Sequence, residues 1–209
     1  ITSIGATTNL GLTDAIVNRY VANRKSKLPV FFGAGLGYRF RSIHLVSMAL
    51  GAAFYYITWG RYGGIVHPAF SINPAFDTLN YSYHLSSALL WVEQYWMFGR
   101  GHWRPYLFLG FGTAWNNTFD YRETPTNPNG SAASIAVAFK SKVQPYFSYG
   151  IGVGINYLLS NNKTRISVGY RYINLGKGRL GMTPLQTTSE RLSTGRLYAH
   201  LIILSLFLK

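Results

Sequence analysis

Cysteine is missing from this chain of 209 residues, and charged residues make up only 12% of it. Without cysteine, neither a disulfide scaffold nor a thiolate metal site can form. The charged share is about half that of a typical soluble domain, so the chain has too few charges to cover a water-exposed surface. The mean hydropathy of +0.06 is nevertheless too low for a bundle of membrane helices.

What the chain does contain is 16% aromatic residues and 22 glycines. Low charge combined with many aromatics and glycines is typical of a membrane barrel that is apolar outside and not apolar inside. The length suits one domain over residues 1–209 and is short for two.

Acidic residues are also scarce, with 6 Asp and Glu against 20 Lys and Arg, for a formal net charge of +14. Such an excess can indicate nucleic-acid binding. The basic residues here form no dense patch interleaved with a recognised nucleic-acid motif, so we expect no nucleic-acid partner.

Two stretches, Ile43–Gly60 and Val143–Asn162, contain no Asp, Glu, Lys or Arg and are long enough to raise the question of a membrane helix. For the second stretch, the periodicity of apolar residues distinguishes a helix from a strand. One set of alternate positions is apolar, and the other is mostly glycine or polar: Gln144, Tyr146, Ser148, Gly150, Gly152, Gly154 and Asn156. Alternation with period two predicts a strand rather than a helix.

The same alternation recurs at 30–40, 46–56, 107–116 and 165–172. A soluble β-sandwich also alternates, but its second face meets water and should carry Lys, Glu and Thr. Here that face carries Gly, Ala, Ser and Tyr, which favours a tight barrel lumen.

The connections predict the topology. Very short turns at Arg41–Ser42, Gly99–His102 and Ser160–Lys163 alternate with long polar segments at 12–27, 61–79, 120–141 and 176–191. Outer-membrane barrels have short periplasmic turns and long extracellular loops. Seven connections predict eight antiparallel strands in a closed barrel with both termini in the periplasm: 1–11, 28–40, 43–59, 80–98, 103–119, 142–159, 164–175 and 192–208.

With this plan the chain resembles the small outer-membrane barrels of Gram-negative bacteria, of the OmpA-transmembrane-domain, OmpX and Opa type. The resemblance covers nearly the whole chain and includes three segments: Pro105–Gly112, Gly150–Tyr157 and Gly169–Gly176. The run Leu201–Phe207 is similar to the assembly signal of such barrels, which normally ends on an aromatic residue, whereas Leu208 and Lys209 follow here.

The resemblance implies an outer-membrane location and structural, adhesive or host-interaction roles more often than catalysis. The expected partners are membrane lipid, lipopolysaccharide, the barrel-assembly machinery and host surface molecules. A narrow channel for small solutes is the alternative function. No cofactor is expected, and the five histidines show no spacing that predicts a metal site.

An enzymatic alternative rests on His84 and Ser86, which resemble the His-x-Ser pair of outer-membrane lipid A deacylases. Positions 84 and 86 share one face of a strand, so a base and a nucleophile would be neighbours. The nearest acid in that strand, Glu93, has the opposite parity. The sequence therefore favours a polar pair near the rim over a catalytic site.

Glu93 is the acidic residue that the pattern places well inside a strand. A carboxylate facing lipid is costly, so we expect Glu93 in the lumen, paired with Arg39 or Arg171. Ser82, His84 and Ser86 also look inward-facing, so the interpretation requires a β-bulge between Ser86 and Glu93.

A lumen filled by side chains leaves the loops as the functional surface. Basic groups there would meet the phosphates of lipopolysaccharide first and anionic host glycans second. The residues expected to make these contacts are Arg19, Arg24, Lys25, Lys27, Arg61, Arg122, Lys140, Lys142, Lys177 and Arg179, with Arg191 and Arg196 near the last loop.

Overall fold

The computed structural model describes residues 7–13, 16–23, 29–40, 45–68, 77–127, 129, 139–159, 164–184 and 191–208. All the regular structure in these residues is β-strand. The strands are β1 Thr7–Thr13, β2 Ile16–Ala22, β3 Val30–Arg39, β4 Val46–His67, β5 Leu79–Phe98, β6 Trp103–Pro125, β7 Phe139–Lys140, β8 Lys142–Leu158, β9 Thr164–Arg179, β10 Gly181–Met182 and β11 Ser193–Leu208. Within the described ranges, no helix has the length and hydropathy needed to cross a membrane.

Nine of these strands form one antiparallel sheet in the order β1-β2-β4-β5-β6-β8-β9-β11, with β3 also paired to β4. Strands β2 and β3 lie one after the other along the same edge of β4, β2 against 64–67 and β3 against 49–58. Strands β7 and β10 form a separate two-stranded ladder.

The predicted all-β antiparallel architecture is confirmed, but the count of eight strands is wrong. Each predicted strand has a counterpart, whereas β2, β7 and β10 lie in segments predicted as loops. The predicted closure is also not found, because no ladder among the described residues joins β11 to β1 or β3. The turn at Gly99–His102 joins β5 to β6, while 41–44 and 160–163 lie outside the described residues.

The barrel wall has two sections. We call the first the apolar band: β3 with 46–56, 88–98, 103–115, 147–157, 164–172 and 200–208. In the band the outward side chains are large, apolar and exposed, for example Leu90 at 52% and Ile151 at 57%. The band reaches the short-turn end of the barrel, where Gly99–His102 lies.

The second section, the extension, comprises 57–67, 79–87, 116–125, 142–146, 173–179 and 193–199. It exists because β4, β5 and β6 have 22, 20 and 23 residues, while about 9–11 tilted residues cross a bilayer. The extension carries the strands past the band toward the long-loop end.

Five register shifts interrupt the pairing of the described strands: one lies in β1 between Gly11 and Thr13, one at Ser193–Arg196 of β11, and three are bulges in the extension. These three bulges shift the register at Gly60 of β4, at Asp120 of β6, and between β9 and β11 near Gly176. Asp120 has φ +54°, and the two glycines have φ +82° and +78°, which glycine adopts without strain. Each bulge adds one residue and reverses which parity faces inward.

Candidate functional site

Glu93 and Arg171 meet in the lumen at the level of the apolar band. Arg171 Nη1 lies 3.3 Å from Glu93 Oε1, and the two side chains are 7% (Glu93) and 3% (Arg171) exposed. Tyr55 donates a hydrogen bond of 2.5 Å to Glu93 Oε1, and Tyr95 donates one of 2.9 Å to Oε2. A buried ion pair is stabilised when its remaining hydrogen-bonding capacity is used, and the two tyrosines serve both carboxylate oxygens of Glu93, while Arg171 Nε has no hydrogen-bond partner among the described residues.

The network joins strands from different parts of the wall. Arg171 comes from β9 and also donates to the hydroxyls of Tyr55 on β4, at 3.0 Å, and Tyr95 on β5, at 2.6 Å. Its guanidinium carbon lies 3.8 Å from the centroid of the Phe108 ring, a favourable cation–π contact. The lumen at this level is therefore filled by side chains that hold one another in place.

Arg39, the other predicted partner of Glu93, lies elsewhere. Its Nη2 donates to Ser47 Oγ at 2.8 Å. The register explains this, because Arg39 is level with Ala49, one inward position closer to the short-turn end than the row of Gly37, Gly51 and Glu93. The Glu93 carboxylate already has three partners, so the expected pair with Arg39 does not form.

The bulge predicted between Ser86 and Glu93 is absent. Between these residues β5 pairs without a shift with both β4 and β6. Inward and outward positions alternate unbroken along β5, and Glu93 shares the inward parity of Leu79, Tyr81, Tyr83, Leu85, Leu89 and Trp91. His84 and Ser86 therefore point outward, contrary to the prediction.

In the extension the lumen is crossed by β9. The ladder between β8 and β9 ends at Tyr149 and Asn174. Beyond it, the fully buried Asn116 of β6 donates to the carbonyl oxygens of Leu175 at 2.7 Å and Lys177 at 3.0 Å. A Cβ on Gly178 would lie 3.2 Å from side-chain atoms of both Leu85 and Thr118, so this part of β9 packs on the inner faces of β5 and β6.

An aromatic cluster fills the far end of the extension. Tyr20 of β2 packs edge-on against Tyr81 at 5.6 Å and Phe139 at 5.7 Å between ring centroids, and Tyr121 packs on Phe139 at 4.9 Å. Tyr121 also donates a hydrogen bond to Glu123. Burial raises the pKa of Glu123 above its ordinary value, although hydrogen bonds from Tyr121 and Tyr20 act in the opposite direction.

The candidate catalytic pair has an acidic neighbour that the sequence did not reveal. Nε2 of His84 lies 3.8 Å from Oδ2 of Asp120, which the bulge in β6 places beside β5. Ser86 is only 4% exposed. A nucleophile must reach its substrate, so the burial of Ser86 argues against hydrolysis even though Ser, His and Asp lie close together.

The predicted loop cations are mostly in strands. Arg19 belongs to β2, Arg61 to β4 and Arg122 to β6; Lys140 and Lys142 lie in β7 and β8, and Lys177 and Arg179 in β9. Arg24, Lys25 and Lys27 lie outside the described residues. The strands reach further into the predicted loops than alternation indicated, because the extension continues the sheet.

Two of these cations stand close together on the outward surface of the extension. His84 is level with Arg61 and Phe119, and Ser82 is level with Gly63 and Arg122. Arg61 Nη2 donates to Ser82 Oγ at 2.7 Å. Arg122, 68% exposed, donates to Asp120 at 2.8 Å. We call Arg61, Ser82, His84, Asp120 and Arg122 the outward basic patch.

Sequence reasoning missed Asn116 and Asp120. Asn116 had a usable signal, since a polar residue between Ala114 and Thr118 on one face of a strand needs partners when buried. Asp120 had none, because its place beside His84 depends on a bulge and on the register of β5 with β6.

The chain was compared with known proteins. Its residues 2–199 match the family model for the outer membrane protein beta-barrel domain. No curated protein and no solved structure matches. The match agrees with the antiparallel wall and its exposed apolar band. The chain belongs to the outer membrane protein beta-barrel domain family.

Proposed function

We propose that this protein is a non-conducting, non-enzymatic structural barrel whose outward basic patch binds the phosphates of lipopolysaccharide. The observation that carries the proposal is the height of the patch on the wall. Tyr56, Ala88 and Trp115 form one level of the wall, and His84 is four residues further along β5. At about 3.3 Å per residue and a tilt of roughly 40°, that places the patch on the order of 10 Å above this level.

Tyrosine and tryptophan concentrate at the interface between membrane and water. The headgroup region extends roughly 5–8 Å beyond the hydrocarbon core, so a patch on the order of 10 Å beyond the interface lies at the outer side of the lipid headgroups. Guanidinium groups bind phosphate with two parallel hydrogen bonds, so Arg61 and Arg122 suit a phosphorylated glycolipid. Asp120 lowers the net charge of the patch, which favours a specific contact over general attraction.

The filled lumen supports the absence of conduction. At the band, the ion pair and its tyrosines occupy the centre, and in the extension β9 lies against the inner faces of β5 and β6. Barrels of about eight strands are narrow enough for side chains to fill, and seven described strands make up the wall at the level of the band. In planar bilayers the purified protein should give no unitary current steps, and regular steps would contradict the proposal.

Lipopolysaccharide binding is tested with the double variant Arg61→Gln and Arg122→Gln. The protein is purified in neutral detergent, and its affinity for deep-rough lipopolysaccharide is measured at several salt concentrations. We expect affinity and its salt dependence both to fall. Arg100→Gln, in the short turn at the opposite end, serves as the matched control. Unchanged affinity in the double variant would overturn the assignment of the patch.

The enzymatic alternative has its own test. Lipid A from cells that express the protein is analysed by mass spectrometry, and no acyl chain should be lost. Loss of an acyl chain that disappears with Ser86→Ala would contradict the non-enzymatic function.

A further inference from the structure

The short-turn end of the barrel is exclusively basic. Residues 39–47, 98–106 and 158–167 contain Arg39, Arg41, Arg100, Arg104, Lys163 and Arg165 and no Asp or Glu. All six acidic residues lie elsewhere in the sequence, at Asp14, Asp77, Glu93, Asp120, Glu123 and Glu190. So uneven a distribution suggests that this end has an anionic partner.

Two of these arginines converge inside the lumen mouth. Arg39 of β3 donates to Ser47 Oγ at 2.8 Å, and Arg165 of β9 donates to Met97 Sδ at 3.6 Å. Ser47 and Met97 are register partners on β4 and β5. Directly opposite residues have Cβ atoms about 5 Å apart, so the two guanidinium groups are held over neighbouring side chains.

A third cation completes the group. Arg104 of β6 bonds the carbonyl oxygens of Gly101 at 3.0 Å and Arg100 at 3.2 Å in the adjacent turn. Arg104 has the inward parity of β6 and is level, through Asn156, with Ser167, two residues from Arg165. Three like charges thus repel one another at one mouth.

No carboxylate relieves this repulsion among the described residues. Arg39, Arg104 and Arg165 donate to a hydroxyl, two carbonyl oxygens and a thioether sulfur rather than to a carboxylate. Glu93 lies two inward positions above Met97 and is bound by Arg171, Tyr55 and Tyr95. Arg165 meanwhile uses a thioether sulfur, which is a weak acceptor for a charged donor.

Polar groups line the same part of the lumen. Asn156 is 4% exposed and Ser167 2% exposed, and both have the inward parity. Asn156 is level with Arg104 on one side and Ser167 on the other. The mouth thus combines cations with small hydrogen-bonding side chains.

We propose that this mouth binds a phosphate-type oxyanion between Arg39, Arg104 and Arg165. The planar guanidinium fork matches the oxygens of phosphate, and an anion would replace the thioether as the acceptor for Arg165. The site faces the lumen, so the anion enters from the aqueous side, either as a free phosphate or as a phosphate on a headgroup at the rim. This inference is independent of the outward basic patch, which lies at the other end.

The test uses the purified, folded protein in phosphatidylcholine nanodiscs. Pyrophosphate binding is measured by calorimetry at constant ionic strength. We expect Arg39→Gln and Arg165→Gln each to weaken binding about tenfold or more, while Arg196→Gln, on β11 in the extension and outside both proposed phosphate sites, leaves it unchanged. The proposal would be overturned if injecting pyrophosphate into wild type released no more heat than injecting chloride at the same ionic strength. It would also be overturned if all the variants bound pyrophosphate equally well.

Two further arms keep the result interpretable. Arg39→Lys and Arg165→Lys retain the charge but not the fork, so they preserve assembly if the glutamine variants fail to fold, and they should still bind more weakly than wild type. Nanodiscs that contain phosphatidylglycerol identify the source of the phosphate. Competition between this lipid and pyrophosphate would support a headgroup ligand, and its absence would support a soluble one.

Discussion

The apolar band and the extension are built from the same strands and both bury apolar and aromatic side chains inward, but among the described residues only the band has a largely apolar outward face and a buried ion pair. Along β5 in the band, Val92 faces outward and Glu93 inward. In the extension, Asn80 and Ser82 face outward, while the inward side chains are apolar or aromatic and almost fully buried: Leu79, Tyr81, Tyr83 and Leu85. One strand therefore passes from a membrane-barrel pattern to a soluble-barrel pattern without a break.

The difference shows that the surroundings, not the strand, decide which face is polar. In the band the apolar face is satisfied by lipid, so the lumen can hold charges if they pair. In the extension the outer face meets water, so apolar groups are buried in the lumen alone. The largest predicted losses of stability come from leaving a charge unpaired in the lumen of the band or placing a charge on its outward face.

Glu93→Gln breaks the ion pair in the lumen of the band and should have the largest effect on stability. It leaves Arg171 buried without its counter-charge, which typically costs about 3–5 kcal/mol. We expect a corresponding decrease in the free energy of unfolding, measured by urea titration of the refolded protein in detergent.

Adding Arg171→Met to that variant removes the second charge and should restore part of the stability, because an apolar replacement of the whole pair can be nearly neutral. The comparison would fail if Glu93→Gln unfolded at the same urea concentration as wild type. The double variant should also be tested for current steps, since it removes the charge pair and the hydrogen bonds of Arg171 that hold the side chains together at the centre of the lumen.

The second prediction contrasts two outward positions on β5. Val92→Arg places a charge against lipid and should cost about 2–4 kcal/mol near the midplane, whereas Asn80→Arg, on the same face in the extension, should be close to neutral. Folded yield on unheated gels measures both. Equal damage at the two positions would mean that the extension also lies in the membrane.

Val153→Arg on β8 should behave like Val92→Arg. An inward glycine such as Gly152 does not provide the matching tolerant control, although its parity suggests it. A Cβ at Gly152 would lie 2.6 Å from the carbonyl oxygen of Tyr170 and 2.9 Å from Cγ of Arg171. Even Gly152→Ser should therefore disturb the wall.

The sequence predicted the wall well because alternation in the band is simple. It predicted the inward position of Glu93 and its possible partner Arg171, since a carboxylate at this depth needs a cation. It failed on the parity of Ser82, His84 and Ser86 because the rule that polar residues face inward does not hold along the whole of β5. The change of rule becomes visible only when the outer face is known to leave the membrane.

Bulges account for most of the remaining differences. Alternation continued across Gly60 or Asp120 assigns every later residue to the wrong face, and nothing in the sequence near Asp120 marks the extra residue. The convergence of Arg39 and Arg165 at the short-turn end could not be predicted either. It depends on the register of β4 with β5, which pairs Ser47 with Met97.

The smallest predicted effect concerns pH at the far end of the extension. Glu123 is partly buried, and its pKa in the folded protein is raised. The folded state therefore binds its proton more tightly than the unfolded chain does. Stability from this group is fully present below the unfolded pKa of about 4.3 and is lost as pH rises through the folded pKa.

Hydrogen exchange of β2 and the end of β6 should consequently quicken as pH rises through that window, after correction for the intrinsic rate. Glu123→Gln keeps an acceptor for Tyr121 but cannot ionise, so it should remove the pH dependence and match wild type at low pH. Tyr121→Phe removes a hydrogen bond that lowers the pKa of Glu123, so it should move the transition to higher pH. If the transition persisted in Glu123→Gln, another group would be responsible for it. The pH response would then not come from the buried carboxyl group at the far end of the extension.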